Sequence, residues 1–410
     1  MRCLAPLFAL ALAIAPACRD VDSFAGGDLD AGTGPGDASA STCDADTQTA
    51  IDDCGSCGNR CPVRANGVPE CVAGACSTKC NPGFGDCDGN PANGCETSTR
   101  EDAEHCGACG RSCGGSACTS GKCAPTKLVT GITGLYTIST DGAHVYWSSE
   151  TDGGVYRCAV TGCSAPEKVG SGNERSYFLA VDNTNVYWNN NSTNGQTAPG
   201  RVFFAPKNGG LTDVLTTAPH ASAQNPTQVI HGGTDVFWSS NEGTIWRIPK
   251  DKSTEPVALT KIQNSGSLAF AGDTLYIGSS EANAVFSCAV KGCTTPPPPL
   301  APGLTKAGGI ATDGTTVFWA TTTDLVSYAL DNKAGAVKRA PIAGGGRVVV
   351  EGNDLFWTEV TTGKVFTMPK TGNTPTQIAQ SQPDLYGIAA DTKYVYWASR
   401  GEGAIYKLAR

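Results

Sequence analysis

The sequence predicts an all-β protein: a seven-bladed β-propeller preceded by a small disulfide-rich module. Three observations predict it. A three-residue aromatic word recurs seven times at a spacing near 40 residues, and fourteen cysteines crowd between Cys43 and Cys123 in two copies of one spacing. No stretch after residue 20 carries apolar residues at a 3.6-residue period over three turns. With 51 glycines, 24 prolines and two methionines in 410 residues, the chain is rich in turns and poor in long helices. Charged residues make up 17% and the net charge is −8. That balance excludes the basic footprint of a nucleic-acid binder and a basic membrane-binding face.

The first element is a leader over residues 1–17. Met1-Arg2 is a minimal positive start, and Ala5 to Ala15 is an apolar run too short to span a bilayer. It ends Ala15-Pro16-Ala17-Cys18, an A-x-A ending that suits secretory cleavage before Cys18. A cysteine at that position resembles a bacterial lipoprotein signal, which implies lipidation of Cys18 and an outer-membrane or cell-surface location. Ala15 stands where such signals carry leucine, and simple secretion or a periplasmic location is the alternative. Residues 18–42 continue as a Gly/Ala/Ser/Asp tether with almost no apolar bulk to order it.

The second element is the cysteine module, 43–123. One copy reads Cys43, Cys54, Cys57, Cys61, Cys71, Cys76 and the other Cys95, Cys106, Cys109, Cys113, Cys118, Cys123. The steps in both are eleven, three, four, a variable gap and five, and Cys80 and Cys87 sit between the copies. Cys54-x-x-Cys57 and Cys106-x-x-Cys109 have zinc-ligand spacing, but zinc sites are closed sets of four ligands and only His105 joins these cysteines. Disulfides are the expectation, because few large apolar residues lie between the cysteines and burial cannot hold the region. Six cysteines per copy allow fifteen pairings, among which spacing does not choose. The module resembles the EGF-like repeats of extracellular proteins, with a different spacing. Asp86, Asp88 and Asn90 alternate as calcium ligands do, but Pro91 and Thr97 stand where a calcium loop needs glycine and glutamate, so an acidic turn is predicted.

The third element, 126–410, is the propeller. Its word ends at Trp147, Trp188, Trp238, Ile277, Trp319, Trp357 and Trp397, with steps of 41, 50, 39, 42, 38 and 40. A strand and turn precede each word, and a polar loop and third strand follow it. Six words lead on to a fourth strand, which gives four strands per blade. Val145 and Trp147 fall on one side of a strand and Tyr146 on the other, as suits a blade sandwiched between neighbours. The seventh repeat ends without a fourth strand, while Thr126 to Thr130 resembles one. That segment is predicted to pair with the last blade and close the ring. Cys158–Cys163 and Cys288–Cys293 are predicted to staple the turns from third to fourth strand. From Leu135 to Arg410 the repeats, as in Tyr146-Trp147-Ser-Ser and Phe356-Trp357-Thr-Glu, resemble the YWTD propellers of low-density-lipoprotein-receptor ectodomains. Those have six blades, and the aspartate of their motif is absent here, so the resemblance implies architecture and not partners.

Little catalytic chemistry is written in the sequence. His144, His220 and His231 fall in different blades, His231 in a turn, and no metal site or cofactor is predicted. Asp141, Asp182, Asp313 and Asp391 recur at one turn per blade, the mark of a structural role. No nucleophile elbow, phosphate loop or catalytic carboxylate pair stands out. The expectation is a non-catalytic extracytoplasmic protein that binds a protein or glycan ligand and touches a membrane only through its lipid. A lyase or glycan hydrolase, or a structural envelope component, is the alternative. Propellers bind where loops entering the inner strands meet the channel mouth, which selects Arg175, Tyr177, Lys306, Arg347 and Tyr386. The insertion from Asn189 to Gly200 is a recognition loop or a tolerated insertion.

Overall fold

A computed structural model of the chain describes residues 46–172, 175–190, 200–216, 225–293, 297–303, 306–331 and 335–410. The leader, the tether with Cys18, Cys43, His220 and residues 191–199 of the insertion lie outside the described residues.

The described residues form strands and turns: three two-stranded sheets in the cysteine module and seven four-stranded antiparallel sheets, each of the seven one blade. The inner strands are Leu135–Thr140, Ser176–Val181, Pro226–Gly232, Ser265–Ala271, Ile310–Thr312, Val348–Glu351 and Leu385–Ala390, and each neighbours the next around a closed ring. The aromatic word occupies the second strand of every blade. Its tryptophans are 0–2% exposed, and Tyr146, Tyr187, Phe237 and Tyr396 are fully buried on the opposite side. Both faces of this strand are therefore core, as a sandwiched sheet requires. In four blades the tryptophan stacks on an aromatic ring of the third strand: Trp147 on Tyr156, Trp188 on Phe203, Trp357 on Phe366 and Trp397 on Tyr406, at 5.4–5.9 Å.

The ring closes as the sequence predicts. Thr126–Val129 is the outer strand of blade 7, pairing with Ala404–Ala409 in the register Thr126↔Lys407, Lys127↔Tyr406 and Val129↔Ile405. The last edge of the sheet is covered by the first strand of the domain.

One end of the propeller is built from a repeated latch. The Asp141 carboxylate accepts the backbone N–H groups of Ala143 and His144, the Tyr146 hydroxyl and, from blade 2, the Lys207 ammonium at 2.9 Å. Asp182 does the same with Thr184, Asn185, Tyr187 and, from blade 3, Lys250 at 2.8 Å. Asp313 holds Lys370 of blade 6 at 2.9 Å, and Arg410 of blade 7 reaches back to Asp354 at 2.9 Å. Burial pushes the Asp141 carboxyl up, but Lys207, the two N–H groups and Tyr146 outweigh it and hold the group at about 2. Asp182 and Asp313 are held below the usual carboxylate range in the same way.

The lysines follow the third strands, and the same backbone hydrogen bond marks the equivalent residues Val160, Val290 and Leu330. Val160 and Val290 lie inside the hairpins closed by Cys158–Cys163 and Cys288–Cys293. There the cation comes from the preceding blade instead: Lys407 donates to the Val160 carbonyl and Arg247 to that of Val290.

In the module, the pairing that spacing leaves open repeats from copy to copy. Cys54–Cys71 and Cys61–Cys76 in the first match Cys106–Cys118 and Cys113–Cys123 in the second. Cys80–Cys95 and Cys87–Cys109 tie the intervening segment into the second copy, and Cys57 is also disulfide-bonded. This many disulfides belong to an oxidising, extracellular or exported setting. The second copy packs on the propeller: its four self-paired cysteines share a buried cluster with Phe356, Trp397, Tyr406 and Leu408. Arg111 donates to the Arg410 carbonyl at 3.2 Å. The Asp86 turn draws Asp86, Asp88 and Glu96 together, with Asp88 accepting from Asn90 and Asn93.

Candidate functional site

At the end of the channel away from the latches the blades stop resembling one another. In each inner strand one apolar residue pairs with the last residue of the word: Ile138, Leu179, Val229, Leu268, Ile310, Val348 and Ile388. Counting back two positions from it gives Tyr136, Tyr177, Thr227, Gly266, Gly308, Gly346 and Tyr386. Blades 7, 1 and 2 thus present tyrosine at the mouth and blades 4, 5 and 6 present glycine.

The tyrosines form one aromatic wall. Tyr136 meets Tyr177 edge-on at 4.8 Å, Phe178 at 5.3 Å and Tyr386 at 4.7 Å, and its hydroxyl shares a 3.1 Å hydrogen bond with that of Tyr386. Burial, then the nearby Tyr386, raises the Tyr136 hydroxyl well above its ordinary value, against the opposing pull of Arg347 and Arg400. Tyr136 is therefore a hydrogen-bond donor at neutral pH and a poor proton acceptor.

Two arginines lie on this wall and differ in one respect. Arg400 sits 4.9 Å from the Tyr136 ring and 5.3 Å from that of Tyr386, and is neutralised by Glu150 at 3.0 Å and Asp384 at 3.5 Å. Arg347 lies 4.6 Å from the Phe178 ring, across the channel, and 5.4 Å from Tyr386. Among the described residues its guanidinium has no carboxylate and no hydrogen-bond partner; only its backbone is tied, by mutual bonds with Thr358. Stacking on two rings orders the guanidinium while leaving its N–H fork unused.

Side chains at the ends of the second strands hold these residues in place. Ser148 donates to the Tyr177 carbonyl, Asn189 accepts from the Phe178 N–H and donates to the Pro226 carbonyl, and Ser399 donates to the Pro383 carbonyl. In these three blades a polar residue one or two positions after the tryptophan pins the entry of an inner strand.

The glycine half opens a groove of about 300 Å³ lined by Asn264, Ser280, Gly308, Gly346, Arg347 and Tyr386, among others. Two of its lining glycines admit no side chain: a Cβ on Gly346 would stand 1.8 Å from the Thr358 carbonyl oxygen, and one on Gly309 2.7 Å from the Arg347 Cα. Behind Arg347 and Phe178 the channel holds a cavity of about 330 Å³. His231 lines it from within the inner strand of blade 3, not from a turn, because the hairpin continues to Gly232↔Asp235 and turns at Gly233-Thr234. Its Nε2 lies 2.8 Å from the Val181 carbonyl, and burial, reinforced by Lys250, lowers its pKa.

Of the five residues selected from the sequence, Tyr177, Arg347 and Tyr386 come together. Arg175 is exposed one residue before the inner strand of blade 2, and Lys306 is exposed beside the groove-lining Ala307; neither joins the cluster. Tyr136, Phe178 and Arg400 are additions, and counting back two positions from the tryptophan register finds the first of them.

No protein-family model matches the chain, and no curated protein matches it in sequence. Among solved structures it is similar to a streptogramin B lyase, with a TM-score of 0.56 and 14% identity over 69% of this chain and 96% of that one. Virginiamycin B lyase from Staphylococcus aureus gives 0.53 and 17% identity, over 70% of this chain and 98% of the other. YCF48 bound to D1 peptide gives 0.53 and 13%, over 70% and 94%. At these identities the likeness is one of fold.

Proposed function

We propose that the chain is a non-catalytic, extracytoplasmic binding protein whose propeller takes a protein or glycan ligand at the tyrosine–arginine mouth. The observation that carries this reading is Arg347, a guanidinium ordered by two rings, half-buried and without a counter-charge. A cation kept in that state is a preformed receptor for an acceptor group on something outside the chain. In this reading Cys18 carries the lipid, the tether and the disulfide module act as a stalk, and the latch end faces away from the ligand.

The fold alone is neutral, since its neighbours include lyases and a peptide-bound propeller. Against a lyase or hydrolase stands the chemistry at the mouth: Tyr136 is shifted away from proton acceptance, and Glu150 and Asp384 are committed to Arg400. Probing glycan and peptide arrays with the whole protein and with Tyr177→Ala and Tyr386→Ala variants tests the reading. A captured ligand whose binding drops at least tenfold in both variants supports it. Undiminished binding moves the site elsewhere, consumption of the ligand replaces binder by enzyme, and no capture at all leaves a structural envelope component.

A further inference from the structure

We infer that the groove reads a ring carboxylate, so that the ligand is an acidic glycan and its uronate carboxylate sits on the Arg347 guanidinium. The inference rests on the binding reading above and narrows its ligand class. Charge comes first. Arg400 is already matched by Glu150 and Asp384, so among the described residues the aromatic cluster holds one unmatched guanidinium, and one carboxylate answers it with two parallel N–H···O bonds.

Shape comes second. Beyond Arg347 the groove floor is glycine backbone at Gly308 and Gly346, with Asn264 and Ser280 at its rim and Tyr386 as its wall. A narrow trough with a ring on one side and, on the other, the Ser280 hydroxyl and the Asn264 amide oxygen, whose NH2 donates to Glu281 at 2.6 Å, suits a flat, hydroxyl-covered unit with one apolar face. Its volume of about 300 Å³ is small for a binding site and fits one or two sugar units.

The surface around the mouth favours a glycan over a protein. Val360, 38% exposed, is the one exposed large aliphatic residue lining the groove among the described residues, and Leu211, Val257 and Val337 lie elsewhere on the blades. The broad exposed apolar patch that marks many protein-docking faces is absent from this groove among the described residues.

The test is titration calorimetry of the full chain with a galacturonate trimer, its methyl ester and an otherwise uncharged trisaccharide carrying one sulfate ester, repeated on Arg347→Gln and Arg347→Lys. The free acid is expected to bind at least tenfold more tightly than the ester. Arg347→Gln should bring that ratio below about threefold, and Arg347→Lys should restore only part of it, since an ammonium lacks the fork. An unchanged melting temperature in both variants confirms that the loss is local. Equal binding of acid and ester overturns the carboxylate assignment and leaves the binding reading standing. Equal binding of the sulfate replaces the carboxylate by any monoanion and also overturns it. If no trimer binds but an array ligand is lost on Tyr386→Ala, the ligand class is wrong and the mouth is right. If neither occurs, both readings fall.

Discussion

The two ends of this propeller are made from the same repeats and treat them oppositely. At the latch end an aspartate and a cation from the next blade recur at three seams, with a tyrosine hydroxyl joining at two of them, and at Val160 and Val290 in blades 1 and 4 a cation from the preceding blade bonds the carbonyl instead. At the mouth the equivalent positions diverge into tyrosine on one half and glycine on the other, with Arg347 between. What repeats holds the ring together, and what breaks the repeat builds the candidate site.

That contrast is breakable in four ways. Trp397→Ala, in the shared framework, should show the largest effect: loss of a fully buried ring and its stacking on Tyr406, about 3–5 kcal/mol in chemical denaturation. A loss under 1 kcal/mol would mean that the seventh blade does not carry its share of the core.

Lys250→Met should come next, at about 2 kcal/mol, because it leaves the Asp182 carboxylate, 9% exposed, without its cation. Ligand binding at the mouth should be unchanged. If binding changes instead, the two ends are coupled and the contrast drawn above is wrong.

Acid should act on the latches together. Asp141, Asp182 and Asp313 have folded values below their ordinary 3.8, so the stability they contribute is complete above that value. It is lost as pH falls from about 4 through the folded value, which for Asp141 is about 2. Melting temperature should fall across that window, and Asp141→Asn should flatten part of the fall. An equal fall in the variant would assign the loss to other carboxylates.

Tyr386→Phe should have the smallest effect, about 0.5–1.5 kcal/mol, since it removes one hydroxyl pair with Tyr136 and keeps the ring beneath Arg347. A larger loss would make the aromatic wall part of the framework and not of the site.

These regions were not equally legible in the sequence. Blade count, blade boundaries, the closing strand and both hairpin disulfides follow from the repeat and its registers, because a word that packs on both faces leaves few ways to fold. The mouth was legible only in part. Arg347, Tyr177 and Tyr386 follow from the rule that inner-strand entries line the mouth, but that rule equally selects Arg175 and Lys306, which point to no common centre. Arg400 comes from the loop after the seventh word and meets Tyr136 only because the ring closes, a contact between residues more than 250 positions apart that no local pattern records. The cysteine pairing stayed open because spacing counts residues and not the packing that brings Cys87 to Cys109.

The described disulfides all join cysteines 5 to 22 residues apart, whereas the closing strand at Thr126–Val129 waits for Ala404–Ala409, about 280 residues later. In a chain that emerges N-terminus first into an oxidising setting, oxidation can therefore finish segment by segment as each short loop appears, with little opportunity for distant thiols to be mismatched. The ring is the reverse case, since its seam cannot form until the final residues arrive. Until then the emerging propeller carries an open edge, and a half-made chain is the form most exposed to aggregation and proteolysis.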